Sequence, residues 1–171
     1  MTNILGIDPA LAKTGAVSLK IYDDKISDAH PMLFESNSKM TQIGRIAHIA
    51  RMMEMAVNDY CPELIVCEYP FNIKGNGRVL IELYGIIRLH SFRKEIPFVP
   101  VPQTTLKKYV TGSGKAEKSD MRVQLYKEYG HEYGEDECDA FWLAHLGYSI
   151  RYGASGHREV IAQELKKKYL I

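Results

Sequence analysis

The run "ELIVCE" at residues 63–68 limits the fold more than any other stretch. Leu64 to Cys67 are apolar without alternation, which reads as a strand buried on both faces. Helices then have to cover both sides of its sheet. The strand stops at an acid, Glu68. "NILGID" near the N-terminus repeats the pattern, an apolar strand that stops at Asp8. A turn containing Pro9 and Gly15 leads from it into "GAVSLKIY", giving a hairpin, with Gly15 letting the chain reverse. "PMLFES" and "IPFVPV" read as two more strands. "SKMTQIGRIAHIARMMEMAVNDY" carries the helical period. Further helices are expected at 77–93, 103–110, 116–129 and 136–150, with a terminal one in "HREVIAQELKKKYL". A hairpin plus strand, then alternating helices and strands, then helices, makes an α/β fold: a mixed sheet flanked by helices. A chain of 171 residues suits one core. Its main domain is expected over 1–152, followed by a helical extension over 153–171.

The segment 77–93 is too apolar for one stripe. Val79, Leu80, Ile81, Leu83, Tyr84, Ile86, Ile87, Leu89 and Phe92 surround most of its axis. Such a helix is buried on more than one side, and in a protein this small one side is expected to meet another chain.

Composition is that of an ordinary globular protein, 46% hydrophobic and 25% charged. No apolar run approaches the roughly 18 residues of a membrane span, and no secretory signal is visible. Cys61, Cys67 and Cys138 match no metal-finger spacing and read as reduced thiols of a cytosolic protein. Net charge is +1, but it is unevenly spread. Residues 74–127 hold eleven Lys/Arg against four acids, and residues 128–139 hold six acids with no Lys or Arg. A mixed, solvated surface fits this distribution. So does a basic surface that brings a polyanion to a metal held by carboxylates.

Four acids stand out. Asp8 and Glu68 end strands; if those strands are neighbours, both lie at the C-terminal edge, where open α/β sheets bind ligands. Asp136 and Asp139, three apart at the start of an apolar helix, share one face. Carboxylates forced together repel unless a cation lies between them, and oxygen-only ligands suit Mg²⁺ or Mn²⁺. Two such ions roughly 3.5–4 Å apart activate a water and stabilise the leaving oxygen of a phosphodiester. Each acid also has a plainer reading. Asp8 fits a turn before Pro9, Glu68 a surface strand end, and the aspartates a favourable first helical turn.

Four blocks, "ILGIDPALAKTGAV", "ELIVCEYPF", "QTTLKKYVTGSGKAEKSDM" and "DECDAFWLAHL", resemble in order and spacing the motifs of the RuvC family of Holliday-junction resolvases. The likeness runs from Ile4 to Tyr148, and the short chain and divergent loops resemble the phage-encoded branch. The resemblance implies a ribonuclease H-like fold and endonuclease action on branched DNA, above all four-way junctions, in the cytoplasm. It implies two Mg²⁺ per site, replaceable by Mn²⁺, held by Asp8, Glu68, Asp136 and Asp139. Lys107 and Lys118 fall on positions where the family has lysines near the scissile phosphate. Phe71 falls on a base-stacking aromatic, and helix 77–93 on the helix that forms the homodimer. Ala10 departs from the family's usual glycine, and Pro70 stiffens the approach to Phe71.

Other cations suit DNA contacts. Lys13 lies in the first turn, Lys74 and Arg78 follow Phe71, and Lys108 and Lys115 flank "TGSG", a loop that is no Walker A motif. The same chemistry would serve a nuclease acting on forks, flaps or RNA–DNA hybrids. An actin- or sugar-kinase-type ATP-binding domain also opens with "GID", but needs a D-x-G phosphate loop that this sequence lacks. His145 is expected to be structural.

Overall fold

A computed structural model of the chain describes residues 1–70 and 77–170. Five strands, β1 (Thr2–Asp8), β2 (Lys13–Tyr22), β3 (Lys25–Glu35), β4 (Leu64–Tyr69) and β5 (Phe98–Pro102), form one sheet in the order β3-β2-β1-β4-β5. β1 runs antiparallel to β2 and parallel to β4, and β5 is parallel to β4. The expected mixed sheet is present. Helices α1 (Gln42–Tyr60) and α2 (Gly77–Arg93) cover one face. The other face carries α3 (Gln103–Thr111), α4 (Lys118–Tyr129), α5 (Glu135–Tyr152) and α6 (Gly156–Tyr169). β4 is buried from Leu64 to Cys67, as its unbroken apolar run requires.

β3 is longer than its sequence signal. Residues 25–30 add to the expected "PMLFES" because β3 is an edge strand with polar, partly exposed side chains. The hairpin into it turns at Asp23 and Asp24, both in the left-handed region (φ 50° and 56°). Aspartate tolerates that geometry without glycine.

α5 is the central helix. Twelve of its residues, from Cys138 to Ile150, are buried. Two glycines let it lie on the sheet with backbone against backbone. A Cβ on Gly6 of β1 would run into Ala140 O and Ala144 N, and one on Gly15 of β2 into the Asp136 carbonyl. Gly15 therefore does not reverse the chain. It is a strand residue opposite Asp8, and it makes room for α5. The β1–β2 turn is instead closed by Thr14. Its hydroxyl donates to Ala10 O (2.6 Å) and accepts from Ala10 N (3.1 Å), so alanine serves where a glycine was expected.

Neutral His145 ties the helical layer together. Its Nδ1 meets Tyr109 Oη of α3 (2.7 Å) and its Nε2 meets Tyr129 Oη of α4 (2.5 Å). Burial, reinforced by nearby Arg158, pushes its pKa down to about 3. Arg158 of α6 lies over the Tyr109 and Trp142 rings and grips Glu128 (2.7 and 2.8 Å).

Gly6→Ala is expected to destabilise the protein by about 3 kcal/mol, because two main chains must separate. A urea midpoint equal to wild type would contradict this account of the α5 contact.

Candidate active site

Ile4 pairs with Leu64 and Ile7 with Cys67 across the parallel β1–β4 ladder. Asp8 and Glu68, the next residues, therefore leave the same edge side by side. Alternation along the strands sets their face. Ile4, Leu64 and Val66 belong to the core under α5, whereas Leu5, Ile7, Ile65 and Cys67 face α1 and α2. Asp8 and Glu68 thus turn toward α5.

α5 starts above them. Its N-cap is Gly134, which offers no side-chain cap, so Asp136 does not cap the helix. Glu135, Asp136 and Glu137 occupy the first turn, where the helix dipole favours negative charge. One turn on, Asp139 is buried at 3% exposure, while Asp8, Glu68 and Asp136 are half-buried. Lys118, the first residue of α4, places its ammonium 3.6 Å from Asp139 Oδ2 and 3.4 Å from Glu135 Oε2. Glu135 was not foreseen; its only sequence signal is its place directly before Asp136.

The group is under electrostatic stress. Burial, then the nearby Asp139, push the Asp8 carboxyl up to about 7, with Lys118 opposing and Asp136 adding to the rise. Burial, then Asp8 and Asp139, push Glu68 up to about 8 against the pull of Lys118 and Lys107. Asp139 is raised by burial despite Lys118. Burial lowers the Lys118 pKa, but Asp139, Asp8 and Glu135 more than offset this and hold its charge firmly. The acids are electrostatic neighbours, yet among the described residues no three His, Cys, Asp or Glu side chains meet closely enough to grip one metal ion. Like charges repel. The donor set nonetheless fits a hard divalent cation: all its ligands are carboxylate oxygens, and Glu68 Oε2 is buried with no hydrogen-bond partner among the described residues.

A cleft of about 490 Å³ opens beside Glu68, between the end of β4 and the first turn of α3 (Gln103–Thr105). Lys107 is half-buried on α3 within electrostatic reach of Glu68. Lys108, Lys115 and Arg78 are exposed. Lys13 is not in the turn; it opens β2 and pairs with Glu35 (3.8 Å). Phe71 and Lys74 lie outside the described residues.

The family model for crossover junction endodeoxyribonuclease RuvC matches residues 4–140, most of the chain. The chain belongs to the RuvC family. The RuvC of Orientia tsutsugamushi (strain Boryong) is 29% identical over 146 residues, which cover 83% of this chain and 92% of the relative. The Thermus thermophilus RuvC structure superposes with a TM-score of 0.74 at 18% identity, over 89% of this chain and 97% of that one. The same protein in complex with a Holliday junction substrate gives 0.73 at 17% identity, over 89% and 94%. These likenesses establish the ribonuclease H-like fold. Among the described residues no helix is long and apolar enough to cross a membrane.

Metal-free stability should follow the raised carboxyls. In the unfolded chain Asp8 ionises near pH 3.9, but in the fold only near 7. The fold therefore holds more protons between these values. The stability this contributes is complete below about pH 4 and is lost as pH rises through 7. Asp8→Asn removes the penalty. In chelator it should melt above wild type at pH 8 and converge with it near pH 4. Parallel melting curves of Tm against pH would contradict the charge stress.

Proposed function

We propose that this chain is a homodimeric, divalent-metal-dependent endonuclease that cuts four-way DNA junctions. The observation that carries the reading is the convergence of Asp8, Glu68 and Asp139 from three separate elements, each carboxyl pushed up in pKa, at the C-terminal edge of two parallel strands. Membership of the RuvC family supplies the substrate class. The related Thermus thermophilus protein has been seen with a Holliday junction.

Asp8, Glu68, Asp136 and Asp139 would hold two Mg²⁺, with Mn²⁺ as a substitute. When bound, these ions supply an activated water and stabilisation of the departing 3′ oxygen. The chain's own groups do the positioning. Asp8 stands on β1, which is paired on both sides, so its carboxylate has a fixed base. Asp139 is fixed by the buried body of α5. Lys118 and Lys107 bring positive charge to the phosphate as negative charge grows on it. Lys13, Arg78, Lys108 and Lys115 contact the DNA backbone, and Phe71 and Lys74 are assigned to DNA contact from the sequence alone.

The dimer rests on α2. Its inner residues Leu83, Tyr84 and Ile87 are buried in the chain's own core, but Ile81, Leu89 and Phe92 face outward at 39%, 47% and 79% exposure. Gly85 lies between Ile81 and Leu89 on that face, and a Cβ there would meet nothing. A glycine in mid-helix costs about 1 kcal/mol and allows another helix to come close. A two-fold axis through α2 would set two sites on two strands of one junction.

Labelled junction, fork, flap and linear duplex compared at one salt concentration, with and without Mg²⁺, test the reading. The junction should be cut at paired positions, and Asp8→Asn should bind it while cutting about a thousandfold more slowly. Uncut junctions in both Mg²⁺ and Mn²⁺, or wild-type nicking by Asp8→Asn, would sink the proposal. Leu89→Asp with Phe92→Asp should give a monomeric mass by light scattering and break the pairing of the two nicks; an unchanged dimer would rule out α2.

A further inference from the structure

The outer face of α4 has no part in the chemistry proposed above. Ser119, Arg122, Val123, Tyr126 and Lys127 follow one another at i, i+3, i+4, i+7 and i+8, so they form one stripe, and all five are exposed. The helix packs inward through Met121, Leu125 and Tyr129. An apolar Val123 at 50% exposure and a Tyr126 at 57% are left facing out between two cations.

The acids of α4 are turned elsewhere. Asp120 accepts from Glu117 N (2.9 Å) at the helix start, and Glu128 is held by Arg158. Among the described residues neither Arg122 nor Lys127 forms an ion pair. Opposite the stripe, His131 and Tyr133 lie flat on one another (centroids 5.0 Å apart, planes at 6°). The two sides enclose an open groove of about 630 Å³, with Glu132 as the one acid on its lining.

The groove's lining starts at the residue next in the chain to the acidic cluster's lysine. Ser119 follows Lys118, whose ammonium touches Asp139. From Lys118 to Lys127 the helix rises about 13.5 Å. A protein partner would be offered only Val123 and three rings, Tyr126, His131 and Tyr133, and would have to neutralise two cations. A polyanion leaving the active site meets both features as they stand.

We infer that this groove holds the sugar-phosphate backbone of a DNA arm as it leaves the catalytic site, with Arg122 and Lys127 on phosphates and Tyr126 against the sugar between them. The inference rests on the DNA-cutting function proposed above and adds a contact surface to it. Arg122 and Lys127 neutralise phosphates without touching the reacting atoms, so they govern affinity and its salt dependence rather than the rate of the bound complex.

The test uses the full chain without divalent metal, so that nothing is cut. Binding to a four-way junction and to a linear duplex is followed from about 50 to 200 mM salt. Removing two phosphate contacts should lower the slope of log affinity against log salt by about 1.8, so this rise in salt costs Arg122→Ala/Lys127→Ala about 12-fold less affinity than it costs wild type. Arg122→Lys/Lys127→Arg should keep the wild-type slope, as should Lys94→Ala/Arg151→Ala, which removes two cations outside the groove. Tyr126→Ala should weaken binding several-fold at every salt concentration without changing the slope. A wild-type slope in Arg122→Ala/Lys127→Ala, or the same fall in the Lys94/Arg151 control, overturns the inference. If wild type binds DNA and the slope falls as expected, but Mg²⁺ yields no junction cleavage, the groove stands and the junction-cutting reading fails. If wild type binds neither DNA, both fail.

Discussion

Direct contact between the α5 main chain and strands β1 and β2 decides where the acids of the site end up. Gly6 and Gly15 open that contact, and the burial of twelve of the eighteen residues of α5 fixes it. Gly147 lets the far half of the helix settle as well, since a Cβ there would press on Ile4 and Val66 (2.7 and 2.8 Å). With the helix held this close, Asp139 raises the carboxyl pKa of both Asp8 and Glu68, and Asp136 adds to the rise at Asp8. Folding therefore gathers carboxylates that repel one another, and the apolar packing of α5 overcomes the repulsion. Carboxylates held together under repulsion are relieved by positive charge, which Lys118 supplies to Asp139.

The opposing charge is placed with equal economy of elements. Lys107 and Lys118 lie on two short helices, and neither helix has a long apolar face of its own. The His145 network holds both. Tyr109 anchors α3 and Tyr129 anchors α4 to one neutral imidazole on α5. The helix that delivers the aspartates thus also carries the anchor for the lysines. Arg158 of α6 reaches over Tyr109 and Trp142 and grips Glu128, so the last helix braces the same layer. The outer stripe of α4 takes no part in this bracing and stays exposed.

Much of this was legible in the chain. The unbroken apolar run of β4, the acid that ends β1 and the three-residue spacing of Asp136 and Asp139 each have a local cause and appeared where expected, whereas Glu68 is the last residue but one of its strand, which runs on to Tyr69 against β5. Family motifs added the lysines. Other features were hidden for physical reasons. The first half of β3 lacked an apolar signal because it is an edge strand. Gly15 looked like a turn residue, since nothing local separates a glycine needed for backbone freedom from one needed for missing volume. Glu135 and the partners of His145 depend on contacts across 16 or more residues of chain.

The linear order of residues set the class of fold, the elements and the identity of the acids, because apolar periodicity and strand-end charges are properties of neighbours in the chain. Only the packed molecule decided that those acids crowd one another, that Lys118 lies among them, and that Arg122, Tyr126 and Lys127 share a groove with His131 and Tyr133. These are facts of distance between elements far apart in sequence, and distance of that kind exists only once α5 has settled on the sheet.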